Sequence, residues 1–307
     1  MLMLFAFFRS LRPKQWTKNL LLFAGVFFAQ RWNDSQSLQN SALAFAVFCA
    51  LSGVVYVVND VLDVEQDRQH PKKCKRPIAS GAISPAAALV GAILLAVTSV
   101  CLSLYLLPNV FTFLAVLYLI LVSAYSLKLK HMVILDILVL AVGFVLRALA
   151  GIEAIRYEGA APVEITSYFL LTTLFLALFL ASSKRRSEIV SLGDKAGSHR
   201  KVLEFYSREF LDILLTLSIA GTIFSYSLWT TQGKFTRLAE ASGQAENTYL
   251  LVMTLPFVLY GMFRYLWLVI QKGEGGAPDT LLLEDKPLLI TVFLWMITVV
   301  GVLWKLN

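Results

Sequence analysis

The chain has 307 residues, of which 58% are hydrophobic and only 15% charged, with a mean hydropathy of +0.70. A soluble domain carries about 25% charged residues, so this composition excludes an ordinary soluble protein and describes a polytopic membrane protein. The net charge of +7 does not indicate a nucleic-acid binder, because the charges sit in loops between apolar runs, where membrane topology accounts for them.

Taken in order, Met1–Phe8 is apolar and Arg9, Arg12 and Lys14 follow. A cleavable signal peptide has the reverse order, so this stretch reads as a short interfacial segment. The first predicted span runs from Trp16 to Trp32. Its uncharged core is short, Asn19 to Gln30, so Lys18 and Arg31 must snorkel and the flanking Trp residues must help it fit. The second span begins with 25 uncharged residues, Ser35 to Asn59.

That span runs into Asn59-Asp60-Val61-Leu62-Asp63-Val64-Glu65-Gln66-Asp67. Read as a continuing helix, Asp60, Asp63 and Asp67 share one face, and Asn59 lies close to it. Three acids on one face repel one another unless a cation compensates. Hard oxygen ligands suit Mg²⁺, with Mn²⁺ as its substitute, and such an ion usually shares its shell with substrate phosphates. The expectation is a metal–diphosphate site, with Asp60, Asp63, Asp67 and Asn59 as ligands. The bland alternative is a solvated acidic cap.

A basic loop follows, Arg68 to Pro77. Its Lys72, Lys73, Lys75 and Arg76 serve either topology or substrate binding, and both readings stand. Residues 77–127 contain no Lys, Arg, Asp or Glu. Ser84-Pro85 starts span three as an N-cap and N1 pair. Pro108-Asn109 is the turn into span four, so this stretch is a helical hairpin. Tyr125 to His131, with Lys130, is the next polar stretch. Span five, Met132 to Ile152, contains Asp136 and Arg147. They are eleven residues apart on one helix face, about 16 Å, and are expected to face one polar cavity. The alternative is structural pairing of each. Span six, Ile165 to Ser183, ends in Lys184-Arg185-Arg186-Ser187-Glu188. Spans seven to nine cover Ile213–Thr231, Asn247–Ile270 (with Arg264 inside) and Pro287–Trp304. Cys49, Cys74 and Cys101 show no disulfide or zinc spacing.

The result is all-α: nine transmembrane helices in a single domain, 1–307. With the N-terminus in the cytoplasm, 20 Lys and Arg fall on the cytoplasmic side and 5 on the other. That bias fixes the orientation and puts the acidic motif, Tyr125–Lys130 and Lys184–Glu188 on the cytoplasmic side. There is no nucleophile–base triad, no P-loop and no Gly/Thr phosphate loop of the soluble phosphoribosyltransferases.

Asn59-Asp60 with Asp63 and Asp67, together with nine spans, resembles the UbiA superfamily of intramembrane prenyltransferases over nearly the whole chain. Within that superfamily the match is closest to the branch that acts on phosphoribosyl diphosphate. Its hallmarks are Arg12-Pro13-Lys14-Gln15-Trp16-Thr17-Lys18-Asn19, then His70-Pro71, Arg76 to Gly81, Tyr125-Ser126, Leu129-Lys130-His131, Leu135-Asp136-Ile137, Gly143-Phe144 to Arg147-Ala148, and Gly275-Gly276-Ala277-Pro278. One departure is informative. Aromatic prenyltransferases of the superfamily carry a second Asp-rich motif after span six, where this chain has Lys184 to Glu188 and then Asp194. A basic cluster suits an additional phosphate.

The resemblance implies Mg²⁺-dependent transfer of 5-phosphoribose to a polyprenyl (decaprenyl-type) phosphate in a bacterial plasma membrane. It gives Lys184, Arg185, Glu188, Tyr125 and Lys130 donor-binding roles, and puts the lipid head near Lys14, Lys18 or Arg147. Lys73 and Arg76 complete the expected substrate shell. The lipid's use points to cell-wall arabinan supply. Outward-facing apolar helices accommodate either lipid or a sister subunit in a homo-oligomer. The competing readings are a prenyltransferase joining a prenyl diphosphate to an aromatic acceptor, and a lipid transporter or lipid-binding protein.

Overall fold

The computed structural model describes residues 2–71, 73–160, 163, 166–193, 200–232, 250–276 and 278–305. Lys72, Asp194, Lys234, Arg237 and Ala277, and the expected starts of spans six and eight at Ile165 and Asn247, lie outside them. Every regular element among the described residues is a helix. The α-helices are α1 (Leu2–Ser10), α2 (Ala24–Phe28), α3 (Ser35–Leu62), α4 (Val64–Gln69), α5 (Pro85–Leu106), α6 (Asn109–Leu127), α7 (Leu135–Ala154), α8 (Ser167–Leu192), α9 (Arg208–Gln232), α10 (Leu255–Gln271), α11 (Pro278–Glu284) and α12 (Lys286–Lys305), with 3₁₀ helices between some of them. Among the described residues, eight helices are long and apolar enough to cross a membrane: α3, α5, α6, α7, α8, α9, α10 with the 3₁₀ turn before it, and α12.

Packing divides the chain into two compact units. One comprises Met1–Leu127 with Leu146–Val163, the other Lys128–Val145 with Glu164–Asn307. One of the boundaries, between Val145 and Leu146, falls within α7.

In the first unit α3 is the central helix. Asp34 caps its N-terminus, accepting from the Gln36 backbone N–H at 3.2 Å. Ser84 caps α5 through the Ala87 N–H, with Pro85 at the first helical position, as that pair predicts. The chain turns at Pro108 between α5 and α6. Leu11, Val54, Val57, Ile78, Ile83 and Ala88 are buried together. Deeper along α3, the Phe48 ring meets Phe111 at 5.8 Å and Tyr118 at 5.0 Å.

The first predicted span departs from an α-helix. Pro13–Phe23 is an eleven-residue 3₁₀ helix that passes into α2. Runs longer than three or four residues are uncommon because the hydrogen-bond geometry is poorer and side chains at i and i+3 eclipse. Here eclipsing matches the sequence. Trp16, Asn19, Leu22 and Gly25 recur every third residue; the last three are buried, and Trp16 packs on the Leu11–Val57 cluster. The line ends in a close crossing of two glycines. A Cβ on Gly25 would lie 2.6 Å from the Gly151 carbonyl oxygen, and one on Gly151 would collide with the Leu22 backbone.

In the second unit α8 and α9 pack along their length, with the Phe175 ring against Gly221. Phe179, Leu215, Ile219, Tyr265 and Leu268 form the core. Arg264, inside its span, bonds Asp285 at 2.8 Å.

Gly151→Ala sets a methyl against backbone that cannot move aside. It should cost about 1–3 kcal/mol, read as a lowered melting temperature in detergent. Gly261→Ala, whose Cβ meets nothing nearer than 3.7 Å, should leave melting unchanged. Asp34 accepts bonds from the Ser37 and Tyr157 hydroxyls, both at 2.5 Å. Those bonds hold its carboxyl below the ordinary value of 3.8. A depressed carboxylate stabilises the fold above its unfolded pKa, and the gain is lost as pH falls through the folded value. The melting advantage of the native chain over Asp34→Asn should therefore shrink on titration from about pH 6 to about pH 3.

Candidate active site

The acidic motif does not continue α3 unbroken. The helix ends at Leu62, Asp63 takes φ −95° and ψ 10°, and α4 restarts at Val64. Two backbone bonds bridge the break, Asp63 N–H to Asn59 C=O at 2.9 Å and Asp67 N–H to Asp63 C=O at 2.8 Å. The register of the face is thereby kept. Asp60 and Asp67 are both 2% exposed, whereas Asp63 is half-buried and Glu65 points to the exterior.

A single guanidinium nitrogen joins the two buried acids. Arg76 Nη1 lies 3.0 Å from Asp60 Oδ1 and 2.6 Å from Asp67 Oδ2. Arg76 reaches them because Arg76–Ile83 forms a compact turn, with Ser80 N–H on Arg76 C=O and Ile83 N–H on Pro77 C=O. Gly81 has φ +79°, which suits that turn. Arg12 also bonds Asp60 Oδ1 and lies 4.8 Å from the Tyr56 ring centre. Its backbone is left-handed, φ 52° and ψ 64°, a conformation disfavoured for a residue other than Gly, Asn or Asp. Lys73 Nζ is 3.9 Å from Asp67 Oδ1. The sequence alone marked Asp60, Asp67, Lys73 and Arg76, and missed Arg12 as a partner. Its only signal there was a place in the Arg12–Asn19 run.

The other expected residues have separate surroundings. Asn59 donates to the Ser126 hydroxyl at 3.0 Å. Lys14 is exposed, and Lys18 bonds the Gln15 side chain at 2.8 Å. Tyr125 is half-buried. Asp136 and Arg147, expected either to face one polar cavity or to be paired separately, each have partners of their own. Arg147 is buried in the first unit, where it donates to Asn19 Oδ1 at 2.9 Å and to the Tyr118 hydroxyl. Asp136 belongs to the second unit. Eleven residues of helix separate them, and each group is satisfied at its own level.

Within the second unit Asp136 is fully buried and receives Arg185 Nε at 2.7 Å and the Tyr206 hydroxyl at 2.6 Å. Arg185 also donates to Glu188 at 2.7 Å. Tyr206 in turn accepts the Ile134 backbone N–H at 2.6 Å, which fixes a β-branched residue at φ +68°. Arg186 pairs with Asp212 and donates to the Val269 carbonyl at 2.8 Å. Lys184 is exposed beside them, and Lys130 is half-buried, its carbonyl accepting from Arg200 at 3.0 Å.

Mg²⁺ is typically held by one or two carboxylates, while substrate phosphates and water fill the remaining positions. Asp60 and Asp67 provide such a pair, converging on a point where a cationic nitrogen lies. Among the described residues no three His, Cys, Asp or Glu side chains form a self-sufficient metal cage. The donor set therefore fits a cation that arrives with its own phosphate ligands. The same geometry yields a stability prediction. Arg76→Ala leaves two buried carboxylates facing each other and should cost about 2–3 kcal/mol. Adding Asp67→Asn should restore most of that loss, and equal melting losses in the single and double variants would disprove the bridging role.

Residues 20–297 match the family model described as the UbiA prenyltransferase family. The chain is similar to decaprenyl-phosphate phosphoribosyltransferase of Corynebacterium glutamicum, 36% identical over 95% of this chain and 85% of that protein. The protein of the same name in Mycolicibacterium smegmatis is 34% identical over 95% and 90%, and that of Mycobacterium tuberculosis 33% over 95% and 92%. Among solved structures, the fold resembles a UbiA homolog from Archaeoglobus fulgidus bound to DMAPP and Mg²⁺. That match has a TM-score of 0.68 and 20% identity, covering 96% of this chain and 98% of the other. From α3 with its paired acids to the helices that follow, the chain belongs to the UbiA prenyltransferase family.

Proposed function

We propose that this chain transfers 5-phosphoribose from phosphoribosyl diphosphate to a polyprenyl phosphate, giving polyprenyl-phosphoryl-ribose 5-phosphate and diphosphate. The observation that carries the reading is the pair of buried carboxylates, Asp60 and Asp67, ringed by Arg12, Arg76 and Lys73. It occurs in a chain 33–36% identical to named phosphoribosyltransferases along nearly its whole length.

The chemistry needs little from the protein beyond position and charge. An oxygen of the lipid phosphate is already anionic and attacks the anomeric carbon of the donor. The bond from that carbon to diphosphate breaks, and diphosphate leaves with the electron pair. No general base is required. Asp60 and Asp67, with Asp63 and Asn59 on neighbouring turns, would hold Mg²⁺ (or Mn²⁺), which supplies positive charge to the diphosphate oxygens when bound. Arg12, Arg76 and Lys73 bind the same oxygens, the two arginines as planar forks. Lys14 and Lys18 take the lipid phosphate. Arg147, fixed by Asn19 and Tyr118, positions the 3₁₀ segment. In the second unit, Lys130 and Lys184 serve phosphate binding, while Arg185, Glu188 and Tyr206 order the basic end of α8 around Asp136.

In our reading the 3₁₀ helix and α2 make a ninth crossing. At about 2.0 Å per 3₁₀ residue and 1.5 Å per α residue, Pro13–Phe28 reaches about 30 Å, the thickness of a hydrocarbon core. The Lys and Arg distribution supports a cytoplasmic N-terminus and acidic site, and the relatives are bacterial, which favours a bacterial plasma membrane.

Purified protein with Mg²⁺ and a short polyprenyl phosphate should turn labelled phosphoribosyl diphosphate into lipid-extractable ribose phosphate, and EDTA should abolish it. Asp67→Asn should lower kcat by about 10²–10³. Transfer from a labelled prenyl diphosphate to an aromatic acid, with none from phosphoribosyl diphosphate, would assign the chain to the other branch of the family.

A further inference from the structure

The buried acids are already neutralised by the protein itself. Arg12 bonds Asp60 Oδ1, and Arg76 Nη1 lies 3.0 Å from that same oxygen and 2.6 Å from Asp67 Oδ2. Two carboxylates thus meet two guanidiniums, and Lys73 stands a further 3.9 Å from Asp67. A bare divalent ion entering this cluster would add charge where none is missing. It would give up water that a hard cation such as Mg²⁺ releases reluctantly. It would also compete with Arg76 for the same two oxygens.

Arg76 is placed to release those oxygens. Its backbone is pinned on both sides, by its own N–H on the Lys73 carbonyl at 2.9 Å and by the Ser80 N–H on its carbonyl at 2.9 Å. Its side chain is 27% exposed, against 3% and 2% for the carboxylates it joins. The guanidinium is therefore free to swing while the turn that carries it stays in place. Arg12 is held more firmly, because its guanidinium also lies 4.8 Å from the Tyr56 ring centre. A diphosphate offers Arg76 a better partner than it has now. Its clustered anionic oxygens match a planar fork, whereas the two acids share one nitrogen. A metal ion carrying a diphosphate brings the cation for the acids and the anion for the arginine in one ligand.

We infer that Arg76 holds the Asp60–Asp67 pair in place of a metal ion, and moves onto the diphosphate when metal and diphosphate arrive together. The site accordingly refuses the free ion and takes the complex, so the diphosphate loads the metal. No covalent bond changes in this exchange. The inference rests on the proposed function only in taking a metal-bound diphosphate as ligand, and inorganic diphosphate serves to test it.

The test is equilibrium dialysis of the full chain in detergent against Mn²⁺, which suits the same oxygen ligands. Inorganic diphosphate is present or absent on both sides, at matched free Mn²⁺. Wild-type protein should hold Mn²⁺ tightly only with diphosphate. If Arg76 leaves the pair open less than about a tenth of the time, Arg76→Gln should bind free Mn²⁺ about tenfold tighter or more. The tightening that diphosphate gives should shrink in the same variant, a loss of coupling that a merely structural arginine would not produce. Melting supplies a second readout. Mg²⁺ alone should raise the Tm of Arg76→Gln and leave that of the wild type unchanged. Adding Asp67→Asn should abolish both gains. Wild-type protein that binds Mn²⁺ equally well with and without diphosphate overturns the inference, whether or not the variant folds. So does an Arg76→Gln protein that melts cooperatively with unchanged affinity for free Mn²⁺. The exchange in a protein that transfers no phosphoribose would uphold the role of Arg76 and refute the proposed function. Phosphoribosyl transfer without the exchange would do the reverse.

Discussion

Two carboxylates buried at the end of a membrane helix cannot both stay ionised without a cation between them. The Arg76 guanidinium meets that condition, bonding Asp60 and Asp67 from one nitrogen. Much of the first unit is arranged around it. The break at Asp63 turns α4 so that both acids face inward. The tight turn after Arg76 brings the guanidinium back to them. Arg12 accepts a left-handed backbone and adds its own charge to Asp60. Local strain of this type is tolerated only where surrounding structure compels it, and it concentrates at functional sites.

The remaining buried charges are handled differently. Arg147 uses neutral oxygens of Asn19 and Tyr118 among its partners. Arg185 and Asp136 form a direct ion pair reinforced by Tyr206 and Glu188. Arg186 divides its donors between Asp212 and the carbonyl of Val269. These groups keep their neighbours in fixed positions. They contrast with the Asp60–Asp67 cluster, where Arg12 and Arg76 remain about a third exposed.

The features legible in the sequence were those carried by local pattern. Twenty-five uncharged residues before Asp60, the Ser84-Pro85 cap and the Pro108 turn each state their structure within a few residues. The spacing of Asp60 and Asp67 revealed a shared face even though the helix breaks between them, because two backbone bonds preserve the register. What was not legible depends on distance along the chain. Arg12 meets Asp60 across 48 residues, and Tyr206 meets Asp136 across 70. No pattern near either residue announces the other. For Asp136 and Arg147 the common helix face is visible in the sequence, but the partners each meets along it are not. By apolar content the 3₁₀ segment looks like an ordinary span; its mark in the sequence is the three-residue repeat of Trp16, Asn19, Leu22 and Gly25.

That repeat restricts how the segment can evolve. A membrane α-helix tolerates a one-residue insertion by turning about 100° and repacking a broad apolar stripe. In the 3₁₀ segment one residue turns everything beyond it by about 120° and replaces a whole buried line at once. Only a change of three residues restores the line, and it moves the ends by about 6 Å, a fifth of the hydrocarbon core. Arg12 stands at one end and the Gly25–Gly151 crossing at the other. The length of this stretch is therefore quantised, and drift within the family should spare its spacing even where its side chains vary.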